Sequence, residues 1–270
     1  KGDMQILSRN EASDRSGNIE LPSVDVTVDV SGAPELARED YPVTSRLALT
    51  TAAPRLFIDV AGRADAVRID GEDRAFTAEE DRVWIDGVPT GAPVEIEVDA
   101  RCRYSRTGEG LHRYQDPEDG LVYLYTQFEP NDAHRAWPCI DQPDVKPEWT
   151  FHVIAPREWV VSSNGVEVSC EPIQGEALRH DFSATRPLSS YITAIVAGPW
   201  AIIDGGTGSG GASDGGHAQL ALRLLCRRTL ARYLDSDDVF EVTRAGLDFF
   251  HERYGVTFPW GSYDQVYVPE

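Results

Sequence analysis

The stretch Ser23-Val24-Asp25-Val26-Thr27-Val28-Asp29-Val30 alternates without a break, four valines on one side and Asp25, Thr27 and Asp29 on the other. A period of two marks a strand with one face packed and the other in water. The same alternation returns at Leu56, Ile58 and Val60, at Val67 and Ile69, at Val83 and Ile85, and from Val94 through Ile96, Val98, Ala100 and Cys102 to Tyr104. Asp70-Gly71, Asp86-Gly87 and Gly91 read as the turns between them. Strands this close together, with no helical pattern between them, predict antiparallel neighbours, because parallel pairing needs a long crossover. Further strand candidates are residues 121–128, 149–155, 159–162 and 191–197. Residues 1–200 are therefore expected to form one mainly-β domain, a sandwich or saddle-shaped antiparallel sheet.

Residues 205–216 read GGTGSGGASDGG, and so many glycines lose much backbone entropy on ordering. The expectation is a mobile loop at a hairpin tip. It is not a phosphate cradle, since no Gly-Lys-Ser or Gly-Lys-Thr follows. After a short strand at residues 220–225, Asp235-Ser236-Asp237-Asp238 supplies the acids that suit a helix N-terminus. Phe240, Leu247, Phe250 and Tyr254 share one face of the helix that follows, and Gly255 and Pro259 end it. A last strand is expected over residues 265–268. Residues 201–270 thus read as a linker hairpin and the first strand, helix and strand of a second, α+β domain.

The 270 residues carry 25 Lys plus Arg against 45 Asp plus Glu, a net charge of −20 that repels phosphate backbones and anionic lipid. Nucleic acid is excluded as a partner on that ground. No apolar run approaches the ~18 residues of a membrane span, and residues 1–15 lack the apolar core of a secretory signal, so the expected location is cytoplasmic. Cys102, Cys139, Cys170 and Cys226 lie far apart and are expected to be free thiols, mostly buried. The six histidines never fall three or four apart, which removes any local metal box. His251-Glu252 begins like a zinc-protease HExxH, but Gly255 stands where the second histidine belongs, so it is read as surface helix. Spacing alone assigns neither metal ligands nor catalytic residues to this chain.

The segment richest in chemistry spans residues 108–153. It contains Gly108-Glu109-Gly110-Leu111-His112-Arg113-Tyr114, then Tyr125-Thr126-Gln127-Phe128-Glu129-Pro130, then Arg135-Ala136-Trp137-Pro138-Cys139-Ile140-Asp141-Gln142-Pro143-Asp144-Val145-Lys146. In order and spacing these three blocks resemble the N-terminal domain of the aminopeptidase N family of zinc metallopeptidases, actinobacterial type. The likeness extends from Leu7-Ser8-Arg9-Asn10-Glu11-Ala12, through Ser189-Ser190-Tyr191-Ile192-Thr193-Ala194, to Phe258-Pro259-Trp260-Gly261 and Val268-Pro269-Glu270.

The resemblance implies a saddle of antiparallel sheets followed by a thermolysin-like catalytic domain. It also implies zinc as the cofactor of the full-length enzyme, held by an HExxH motif and a further glutamate beyond the GAMEN motif. Both motifs are expected after Glu270, so this chain is expected to bind no catalytic zinc and to be inactive alone. Its partners would be a peptide with a free N-terminus and the catalytic domain of the same polypeptide. Within the chain the resemblance makes Glu129 the carboxylate that receives the substrate's ammonium group, a charge-assisted contact, and makes Gln127 a lining residue of the first side-chain pocket. By spacing alone Glu129 is one loop acid among 45. Asp132, Arg135, Asp141, Asp144 and Lys146 are read as residues that secure the loop by ion pairs and turns. Tyr123, Tyr125, Phe128 and Trp137 are read as packing. Two other readings share the saddle: a non-catalytic interaction module, and a zinc hydrolase that opens an epoxide.

Overall fold

Ser8 opens the first helix with a reciprocal cap. The Glu11 amide donates to the Ser8 hydroxyl at 3.3 Å and the Ser8 amide donates to the Glu11 carboxylate at 3.0 Å. The computed structural model describes residues 7–173, 175–213 and 216–269. In chain order the elements are α1 (Arg9–Asn18), β1 (Ile19–Asp29), β2 (Asp40–Thr51), β3 (Arg55–Asp59), β4 (Arg63–Ile69), β5 (Glu72–Asp73), β6 (Phe76–Glu79), β7 (Arg82–Asp86), β8 (Pro93–Arg103), β9 (Gly110–Gln115) and β10 (Val122–Gln127). They continue with β11 (Glu148–Pro156), β12 (Val160–Ser163), β13 (Glu167–Pro172), β14 (Ala177–Phe182), β15 (Ile195–Gly198), β16 (Ala201–Ser213), β17 (Gly216–Cys226), α2 (Ser236–Tyr254) and β18 (Ser262–Tyr267).

The strands form an eight-stranded sheet in the order β13-β14-β11-β1-β2-β8-β4-β5, a four-stranded sheet β12-β15-β10-β9, and two three-stranded sheets, β3-β7-β6 and β16-β17-β18. Most pairs are antiparallel, as the short spacing predicts. Two are not: β1 runs parallel to β11, and β17 parallel to β18. Each of these pairs is separated by a long crossover, the condition under which parallel pairing becomes possible.

Val24, Val26, Val28 and Val30 are fully buried, while Asp25, Thr27 and Asp29 on the opposite face are only half-buried. The half-burial comes from a charge ladder across the large sheet. Arg46 pairs with Glu97 at 2.6 Å, Arg68 pairs with Asp99 at 2.8 Å, and His152 lies between Asp25 and Asp181. The other side of the sheet packs on a core whose largest buried members include Trp137, Trp149, Phe128 and Phe151.

Three expectations are corrected. Residues 191–197 do not form one strand, because Ser190–Ile192 is a 3-10 turn and β15 begins only at Ile195. The glycine-rich stretch is largely strand: β16 continues to Ser213 and β17 begins at Gly216, with register shifts between Asp204 and Thr207 and between Ser209 and Ala212. Residues 214 and 215 of that stretch lie outside the described residues. Glycine suits this ladder because helix α2 crosses it closely, and a Cβ on Gly205 would stand 2.3 Å from Cε1 of Phe240. Finally, the apolar face of α2 divides. Phe240 is buried with Leu220, Leu222 and Leu224, but Phe250 is 54% and Tyr254 71% exposed, their rings stacked 5.9 Å apart.

A third apolar cluster of Tyr123, Trp200 and Leu225 joins the four-stranded sheet to β17. Polar ties reinforce it, with Arg227 on Asp116 at 2.8 Å and the Ser162 hydroxyl on Asp264 at 2.7 Å. No helix among the described residues is long and apolar enough to cross a membrane.

Candidate functional site

Gln127 is the last residue of β10 and pairs with Gly110 of β9. Gly110 has φ of 69°, and a Cβ there would lie 3.0 Å from Cβ of Arg135, so glycine meets both the backbone and the space requirement. Past Gln127 the side chains diverge. Phe128 turns inward and meets Trp137 edge-on at 4.9 Å, whereas Gln127 and Glu129 stay exposed. The Glu129 amide donates to the Gln127 carboxamide oxygen at 3.0 Å, which leaves the Gln127 side chain its NH2 group as remaining polar capacity. The Glu129 carboxylate pairs with no cation among the described residues, and the bond from Glu129 to Pro130 is cis. The structure thus brings the two expected site residues onto one exposed turn.

The turn is anchored from below. The Asp132 amide donates to the Phe128 carbonyl at 2.8 Å, and Arg135 pairs with the buried Asp132 at 2.5 Å. Farther along, Asp59 and Cys139 exchange backbone hydrogen bonds at 2.8 and 3.0 Å. One oxygen of Asp59 accepts from the Arg15 guanidinium at 2.7 Å and from the Asp141 amide at 2.9 Å. Arg15 also donates to the Gln142 side chain at 2.9 Å, and Gln142 returns a bond to the Ala12 carbonyl. Helix α1 is therefore fastened to the loop that carries Trp137 through Gln142.

Asp141 receives His134 at 2.7 Å on one oxygen and the Ser190 hydroxyl at 2.6 Å on the other. Burial opposes its ionisation, but these hydrogen bonds outweigh burial and hold the carboxyl below its ordinary range. Burial likewise opposes a charge on His134, and Asp141 overcomes it and raises the imidazole's pKa. Asp59 goes the other way: burial pushes its carboxyl up despite Arg15.

Of the residues read as structural, Asp132, Arg135 and Asp141 are tied as expected. Asp144 and Lys146 are not, for both are exposed and form no ion pair among the described residues; the turn there is closed by the Val145 amide on the Gln142 carbonyl at 3.0 Å. Tyr123, Tyr125, Phe128 and Trp137 are all buried. Tyr125 adds a polar function at its tip, donating its hydroxyl proton to the Pro269 carbonyl at 2.8 Å, a contact that nothing in local spacing announces. The His112 ring packs tilted against Tyr125, with centroids 4.9 Å apart, and accepts the Gly108 amide on Nδ1, with burial lowering its pKa. His251 and Glu252 lie exposed on the last turn of α2. Cys102, Cys139 and Cys226 are buried, Cys170 is exposed, and all four are free. No group of three His, Cys, Asp or Glu side chains gathers around Glu129 to hold a metal among the described residues.

Residues 57–192 match the peptidase M1 N-terminal domain. Over 267 residues the chain is 36% identical to aminopeptidase N of Streptomyces lividans, covering 98% of this chain and 30% of that protein. It is 26% identical over 213 residues to aminopeptidase 2 of Candida albicans, covering 75% of this chain and 21% of that protein. Aminopeptidase N of Haemonchus contortus is 28% identical over 153 residues, 55% of this chain and 14% of that protein. The chain spans less than a third of the length of these relatives.

Proposed function

Because the chain belongs to the peptidase M1 family through its N-terminal domain, we propose that it is the amino-terminal part of a zinc-dependent aminopeptidase that removes N-terminal residues from peptides. The observation that supports this reading is the exposed Glu129 carboxylate, unpaired with any cation among the described residues and set on a turn braced by Gln127. A free α-ammonium group is the cation that complements it. When substrate enters and water leaves, the pair strengthens, because a charge-assisted hydrogen bond gains from lower local dielectric. Glu129 then fixes the distance from the free amine to the first peptide bond, and the Gln127 amide meets the first side chain.

The zinc that such a reaction uses does not fit this site, since no ligand set surrounds Glu129 among the described residues. We assign its ligands to later residues of the same polypeptide, and this chain alone is inactive on our reading. We place the boundary between the β saddle, residues 1–200, and the start of the catalytic unit, residues 201–270, at the entry to β16. The exposed ridge of Phe249, Phe250 and Tyr254 on α2 is then the surface that the rest of the catalytic domain covers. Four free cysteines agree with a cytoplasmic location.

The test is hydrolysis of aminoacyl-anilides by this chain and by a version extended through the next domain, each with and without zinc. Activity confined to the extended, zinc-loaded form supports the reading. Silence in a folded, zinc-loaded extended form would overturn it in favour of a binding module or another reaction.

A further inference from the structure

Among the described residues one cluster with metal-binding chemistry lies on the hairpin at the edge of the eight-stranded sheet, a different sheet from the one whose strand β10 leads into the Glu129 turn. In the antiparallel pair β13 and β14, Cys170 stands directly opposite His180, and Glu167 opposite Phe182. The register shifts between Glu167 and Ser169. That extra residue brings Glu167, three positions before Cys170, to the same side of the hairpin, where unbroken alternation would have sent it to the other. His180 Nδ1 consequently lies 2.7 Å from the Glu167 carboxylate, and His180 Nε2 lies 4.0 Å from Cys170 Sγ. The three ligand atoms are all within 4.8 Å of one another, with His180 buried and Cys170 and Glu167 exposed.

The hydrogen bond to Glu167 places the imidazole proton on Nδ1 and turns the Nε2 lone pair toward the thiol. A carboxylate behind a histidine in this way is the usual outer support of a metal-binding imidazole. One thiolate and one imidazole prefer borderline-soft ions to magnesium or calcium. Zinc bonds of ~2.3 Å to sulfur and ~2.0 Å to nitrogen set the two atoms about 3.5 Å apart at a tetrahedral angle and about 4 Å apart at an opened one. The observed 4.0 Å separation requires little or no movement.

We propose that Cys170 and His180, oriented by Glu167, form a surface site for a thiophilic divalent cation, zinc being the ion it fits best, with water completing the shell on the exposed side. Binding forms one metal–sulfur and one metal–nitrogen bond and releases the thiol proton and metal-bound water to solvent. The ion clips the edge hairpin shut and masks Cys170, the one exposed cysteine. This site is independent of the proposed peptidase chemistry.

The test follows alkylation of Cys170 in the full chain by peptide mass spectrometry, with zinc, with magnesium or with neither. The buried Cys102, Cys139 and Cys226 serve as internal controls. Zinc is expected to slow alkylation of Cys170 by about tenfold or more, magnesium not at all, and Glu167→Gln to raise the zinc concentration needed for half-protection by about 10- to 100-fold. His180→Gln should abolish it, and cobalt in place of zinc should give a thiolate charge-transfer band that is lost in Cys170→Ser. Equal alkylation rates with and without zinc in the unmodified chain overturn the proposal, as does protection that survives in a folded His180→Gln variant. The exposed Glu167 position keeps the test open if His180→Gln does not fold.

Discussion

The Tyr125 hydroxyl and the Pro269 carbonyl oxygen are joined by a 2.8 Å hydrogen bond across 144 positions of sequence. Tyr125 lies two residues before Gln127 on β10, so this bond brings the segment after β18 to the strand that presents the Glu129 turn. Replacing Tyr125 with Phe removes the bond and strands a carbonyl. We expect a loss of about 1 kcal/mol in urea unfolding, and a larger effect on kcat/KM than on stability in the extended enzyme.

Glu129→Gln keeps the shape of the turn and removes its charge. In the extended enzyme it should raise KM and lower kcat for unblocked substrates, together about 10- to 100-fold in kcat/KM, the range of a charge-assisted hydrogen bond. Steady-state kinetics on free and N-acetylated anilides check this. Unchanged kinetics would remove Glu129 from the site.

Arg15→Met leaves Asp59 buried without its ion partner. Breaking a buried pair from one side is costly, and we expect about 3 kcal/mol of destabilisation, read as a lower denaturation midpoint at unchanged slope.

The His134–Asp141 pair predicts a definite pH dependence. His134 has a raised pKa in the folded chain, so its contribution is complete below the ordinary value of 6.5 and is lost as pH rises through the raised one. Asp141 has a lowered pKa, so its contribution is present above 3.8 and is lost as pH falls through the lowered one. The difference in Tm between the native chain and His134→Gln should therefore be greatest near about pH 5 and shrink at higher pH. A difference that grows steadily toward alkaline pH contradicts the assignment.

Gly205→Ala drives a Cβ to 2.3 Å from the Phe240 ring. The aromatic ring or the strand must give way, at a cost of about 1–3 kcal/mol. Hydrogen exchange should quicken along α2 while the strands of the large sheet keep their protection.

Much of the fold was legible because its face-to-face chemistry is simple. The valines of β1 and the run from Val94 to Tyr104 alternate cleanly, and the Asp235 cap and Gly255 stop bound α2 at the expected places. Strand β2 is not legible in the sequence because Ser45 and Thr51 occupy its buried face while Ala48 sits on the other, blurring the period. Helix α1 has only a weak apolar stripe; its readable sign was the pair Ser8 and Glu11, three residues apart. The turn of Gln127 and Glu129 is legible through motif resemblance, whereas Arg15 to Asp59, which fastens α1 to the following loop, and Tyr125 to Pro269, which ties β10 to the segment after β18, are long-range and leave no local periodicity. The Cys170–His180 pair was invisible for the same reason, since a search for ligands three or four apart misses partners matched across strands.

Strand β1 lies in the middle of the large sheet, with β2 on one side and β11 on the other. During synthesis its first neighbour arrives almost at once, while its second is made more than a hundred residues later. At ribosomal speeds the valine-rich β1 keeps one hydrogen-bonding edge open for about ten seconds. The nascent chain therefore passes through a stage in which an unpaired edge is offered to any neighbouring polypeptide. Yield on expression should depend on temperature and chaperone supply over that interval more than on the stability of the finished sheet.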